Sequence, residues 1–203
     1  SLLDMMRSDS ATKIIDFSSD EEKSSKPKPK PNKDRNPYYG DLHVHTKHSF
    51  DAYIFGVTAT PNDAYRYAKG EGIMHPMGYE MKLKEPLDFY SVTDHGFFMG
   101  MMNAWADTTT DISQNDFALP FHNLNKEENL TVEFAGPRSA LFSTILAGTI
   151  ATTHGNFHPN TLKAWLTKNT QKALKSFDYD IHKSAWEDVA RTANEHNDPG
   201  HFS

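Results

Sequence analysis

From residue 41 to 46 polar and apolar side chains alternate without a break (DLHVHT). That period predicts a strand with Asp41, His43 and His45 on one face and Leu42 and Val44 on the other. Thr60 and Pro61, followed by NDAYRYAKGEG, supply an N-capping residue, a proline at the first helical position and a stop at Gly70 or Gly72, so a helix follows the strand. Residues 87–93 (LDFYSVT) are rich in aromatic and β-branched types and run into Asp94-His95-Gly96, which predicts a second strand ending in a polar turn. The order strand, helix, strand predicts a parallel unit. Farther along, residues 138–150, 161–176 and 181–196 read as helices, the last with Trp186, Val189, Ala190 and Ala193 on one face. No internal repeat is visible.

The N-terminal part breaks this pattern. Residues 18–33 (SSDEEKSSKPKPKPNK) alternate lysine with proline and carry almost no apolar side chain, the composition of a solvated polyproline-II spacer. Residues 1–36 therefore read as a disordered polar Lys-Pro-rich tail or linker, within which Leu2, Leu3, Met5, Met6, Ile14 and Ile15 offer an alternative short docking segment. Residues 37–203 read as one domain. Apolar residues make up 37% of the 203 positions, thin for a chain packed along its whole length.

Charge separates the same two parts. Residues 1–36 hold eight Lys or Arg against seven Asp or Glu, leaving 13 against 20 for residues 37–203, a net −7. No nucleic-acid partner is expected of such an acidic body, because nonspecific binding rests on clustered cations. The chain has no cysteine, so any metal must be held by His, Asp and Glu. Residues 140–151 are apolar but interrupted by Ser143, Thr144 and Thr149, short of the roughly 18 residues that a membrane span requires. The chain reads as soluble. It opens on Ser1 without a signal-peptide pattern, which leaves the compartment open, secretion or a periplasmic location after processing included.

His43 and His45, two apart on a strand, point the same way and can ligate one ion or two adjacent ions, although the same spacing also occurs on plainly solvated faces. The neighbours add weight. Asp41 precedes them on that face, and Asp51 follows in a loop that also carries Lys47, His48 and Ser49. Asp51 has a simpler alternative as a residue of a turn. His95 ends the second strand, with Asp94 able to orient an imidazole, or else the two belong to an ordinary Asp-His-Gly turn. Loops leaving the C-terminal ends of parallel strands are where α/β proteins assemble their sites.

Residues 39–46 (YGDLHVHT), then Ser49-Phe50-Asp51, then residues 88–95 (DFYSVTDH) resemble the first two motifs of the PHP superfamily, named for polymerase and histidinol phosphatase. DAYIFG at 51–56 and TPNDAYRYAKGE at 60–71 are similar to a large PHP-like group of uncharacterised hydrolases. The resemblance is strong over residues 38–100 and weaker over 184–202. It implies an α/β fold, the N-terminal portion of a distorted (β/α)7 barrel, with two or three Zn, Mn or Fe ions at the C-terminal ends of its strands. Carried over position by position, His43, His45, Asp51 and His95 match metal ligands, and Asp41 and Asp94 match outer residues that support them. The family pattern continues into a strand with a metal-bridging glutamate and later histidines. The resemblance therefore implies an incomplete site, completed by the remainder of the enzyme as a separate chain or beyond Ser203. Glu133 and the His154/His158 pair are the in-chain candidates for the missing ligands, although Gly155, Asn156 and Pro159 argue against a helix that would align the two histidines.

The activity so implied is metal-dependent hydrolysis of a small phosphoester through an activated water, with Lys47 or His48 contacting the substrate phosphate. Two alternatives stand beside it. One is a noncatalytic fragment or partner-binding module that keeps its metal ligands; the other is a metal hydrolase that cleaves a non-phosphate ester or an amide.

Overall fold

The computed structural model describes Lys33 and residues 35–130, 135–154 and 176–203, without the side chains of 147–154. The expected helix over 161–176, apart from Ser176, together with the tail up to residue 32, Glu133, His158 and the side chain of His154 lie outside the described residues. The fold is mixed α/β. Strand β1 (Gly40–Val44) is followed by helix α1 (Phe50–Ile54), helix α2 (Pro61–Ala68), the short strands β2 (Ile73–Met74) and β3 (Glu80–Met81), strand β4 (Phe89–Val92) and helix α3 (Met101–Ala106). Three single turns of 3-10 helix lead to helices α4 (Ala135–His154) and α5 (Tyr179–His196). No described helix is long and apolar enough to cross a membrane.

β1 and β4 pair in parallel, as the strand-helix-strand order predicts, whereas β2 and β3 form a separate antiparallel hairpin that alternation did not reveal. The parallel register is not regular. Asp41 faces Tyr90 and Val44 faces Val92, so β1 spends one residue more than β4 between these pairs. The amide of His43 is taken by the Asp41 carboxylate, 2.8 Å away, rather than by a neighbouring strand. Extra residues of this kind locally break the ladder and bend the strand; the ring centroids of His43 and His45 nevertheless lie 4.9 Å apart. On its other edge β4 bonds Ser203, through Tyr90 N–H to Ser203 O and Ser203 N–H to Asp88 O.

Helix α2 starts as its sequence dictates. Thr60 accepts from the Asp63 amide while the Asp63 carboxylate accepts from the Thr60 amide, a reciprocal cap with Pro61 at the first helical position. Its buried face, Ala64, Tyr65 and Ala68, packs with Val92 and Phe202 into one apolar cluster, against which Val189 and Ala193 of α5 lean. A second cluster joins Phe50 and Ile54 of α1 to Met101 and Trp105 of α3, to Phe121 and to Ile145 of α4. Ile181, near the start of α5, packs on this second cluster, so α5 spans both. Arg138, a buried residue, ties α4 to α1: its guanidinium donates to the carbonyls of Ile54, Leu124 and Asn129. Burial lowers its pKa, opposed by the nearby Tyr53, and the carbonyl oxygens replace the water it has lost.

Candidate metal centre

The turns leaving β1 and β4 meet where the two apolar clusters meet. Three side chains converge there: one ligand-capable atom each from His45, Asp51 and His95 lie within 4.8 Å of one another. His45 Nδ1 stands 2.9 Å and His95 Nε2 3.5 Å from the same carboxylate oxygen, Asp51 Oδ2. Four-coordinate zinc with bonds of about 2.0–2.1 Å separates its ligand atoms by roughly 3.3–3.5 Å; the His95–Asp51 spacing falls in that range, whereas the 2.9 Å between His45 and Asp51 is that of a hydrogen bond and would open slightly around an ion. The set of two imidazoles and one carboxylate is also chemically apt for Zn, Mn or Fe.

Each ligand is held from behind. Ser49, fully buried, donates to Asp51 Oδ1 at 2.6 Å, accepts from the His95 amide at 3.0 Å and lies 3.4 Å from His45 Nδ1. One hydroxyl thus touches all three ligand residues. It stands at the N-cap position of α1, yet its side chain caps no helical amide, having turned to the site instead. Burial raises the pKa of Asp51, but hydrogen bonds from Ser49, from the Ala52 amide and from His45 outweigh it and hold the carboxyl below its ordinary value. Asp51 is thereby an anion suited to a cation. The His95 ring leans on Phe50 and Phe97, with centroids 5.1 and 5.0 Å away, and these apolar walls limit its rotation.

The other expected site residues are placed as follows. His43 is exposed, its ring centroid 4.9 Å from that of His45, and it is not among the three converging residues. Asp41 accepts from the His43 amide. Asp94 supports the site through the backbone, because its two carboxylate oxygens accept from the amide and the hydroxyl of buried Thr46, locking the end of β1 to that of β4. Lys47 bonds through its backbone, N–H to Ala59 O and O from Asn103 Nδ2. His48 has Nε2 2.9 Å from Asp188 Oδ2, and its Nδ1 is buried with no hydrogen-bond partner among the described residues.

Ser49, Thr46 and Asp188 are the contributors that spacing alone did not single out. Ser49 and Thr46 lie inside the motif region and are found by asking what fixes a ligand from behind. Asp188 carries no sequence signal toward a site 140 residues away.

Residues 32–203 match the family described as "Protein of unknown function (DUF3604)". No curated protein and no solved structure matches the chain.

Proposed function

We propose that this chain, which belongs to the DUF3604 family, carries a metal centre of a divalent-metal-dependent phosphoesterase. The observation that carries the proposal is the convergence of His45, Asp51 and His95 from the C-terminal ends of two parallel strands. A divalent cation, when bound, acidifies water and neutralises charge that develops on phosphoryl oxygens. This chain's own residues do the holding: Asp51 supplies the negative charge, Ser49 and Phe50 fix its position and that of His95, and the Thr46–Asp94 lock keeps the two strand ends at one spacing. The PHP resemblance of the motifs supports the phosphoester as substrate and the barrel as the architecture that β1 and β4 begin. His43, beside His45, is then a ligand to a second ion rather than to the first.

A noncatalytic metal-binding chain is the second reading. It is favoured by the fact that, among the described residues, only three side chains converge and no second carboxylate joins them. Both readings predict metal binding, and turnover separates them. A generic aryl phosphate or phosphodiester incubated with the chain and Mn or Zn should release product, and Asp51→Ala should lower that rate at least 100-fold. Metal bound without turnover favours the second reading.

A further inference from the structure

We infer that Asp188 is a positioning residue of this metal centre: through His48 it fastens the ligand-bearing segment 45–51 to helix α5. The inference rests on the metal-binding reading above and assigns a part to two residues that touch none of the three candidate ligands in any hydrogen bond.

His48 lies midway between His45 and Asp51, three residues from each. Its ring is sunk to 11% exposure with Nε2 2.9 Å from Asp188 Oδ2, and Nδ1 has neither solvent contact nor a partner among the described residues. A hydrogen on Nε2 donates to the carboxylate, and so enclosed a ring cannot leave without opening the contact between segment and helix. Asp188 is braced in turn. Its second oxygen accepts from Arg191, whose other nitrogen grips Glu195 at 2.7 and 2.8 Å, a turn farther along α5.

The helix reaches this segment because Gly100 lets it. Gly100 has φ +77, and a Cβ there would stand 2.7 Å from the Cβ of Ala185, which precedes Asp188 by one turn. The Gly100 amide donates to the His48 carbonyl at 2.9 Å. The Lys47 amide, which donates to the Ala59 carbonyl, and the Asn103 side-chain amide, which donates to the Lys47 carbonyl, hold the segment on its other side. Segment 45–51 is thus gripped by the α2 approach, by α3 and, through the His48–Asp188 pair, by α5. Loss of that pair frees the span between two ligands, and supporting contacts of this kind govern how well ligands hold a metal.

The test is the dissociation constant of the full chain for Zn alone and for Mn alone, by equilibrium dialysis, with thermal unfolding of each metal-free variant alongside. Asp188→Ala and His48→Ala should each weaken binding about tenfold. The double variant should be no weaker than either single one, because both remove the same tie. Asp188→Asn keeps an acceptor oxygen for His48 and should return to within about threefold of the wild type. His48→Phe retains the buried ring and removes the donor, so it carries the comparison if truncation at 188 unfolds the chain, and it too should bind about tenfold more weakly. Wild-type affinity in Asp188→Ala or His48→Phe, or additive losses in the double variant, overturns the inference while leaving the metal site intact. A wild-type chain that binds neither metal overturns both.

Discussion

At the residue scale the centre depends on small groups behind the ligands as much as on the ligands themselves. Ser49→Ala leaves the His95 amide without its acceptor and removes one of the hydrogen bonds to Asp51, which keeps those from the Ala52 amide and His45; the variant should lose about 1–3 kcal/mol of stability, read by urea unfolding, and bind Zn about tenfold more weakly. Asp188 should show itself in acid. Burial raises its pKa, but His48 and Arg191 bring it below the ordinary carboxylate value. A depressed native pKa stabilises the fold above the pKa of the unfolded state, near 3.9, and that contribution is lost as pH falls through the lower native value. The difference in stability between pH 5 and pH 3 should therefore be smaller in Asp188→Asn than in the wild type. His45, Asp51 and His95 were legible in the sequence because ligand types clustered at strand ends. Asp188 was not, because an aspartate on an amphipathic helix carries no mark of what it faces.

Elements bring these residues together, and their legibility followed their local chemistry. The start of α2 could be read from Thr60, Pro61 and Asp63 alone, since its cap is made within four residues. The parallel pairing of β1 with β4 followed from element order. The irregular register of β1 did not, because there the Asp41 carboxylate takes the His43 amide, a competition that alternation cannot register. The β2–β3 hairpin is two residues per strand, too short for a period to be seen. Two positions test the packing. Gly100→Ala forces a Cβ toward Ala185 at a positive φ and should cost about 1–3 kcal/mol. Arg138→Met keeps the length of the side chain but strands several buried carbonyls, and should cost about 3 kcal/mol or more by urea unfolding.

Across the whole molecule the site occupies the seam between two apolar clusters. Phe50 belongs to one of them, while the strand residues Val44 and Val92 belong to the other. Helix α5 packs on both, so a change at either cluster is felt at segment 45–51. The motif region could be read from sequence because it is local in the chain. The closure by α5 could not, since its contacts are remote in the chain, 140 residues for His48 with Asp188, and depend on a missing side chain at Gly100. Metal should stabilise this assembly as a unit: at a free concentration 100 times the dissociation constant, Zn should add about 2.7 kcal/mol to unfolding, and Asp51→Ala should remove most of that gain.

The most direct measurement is the zinc bound at saturation by the purified chain and by a His45→Ala, Asp51→Ala, His95→Ala triple variant, with circular dichroism to establish that both are folded. At least one zinc per wild-type chain, with that site lost in the folded triple variant, is the predicted result. Equal zinc in the two, or none in the wild type, would contradict the assignment of these three residues as a metal centre.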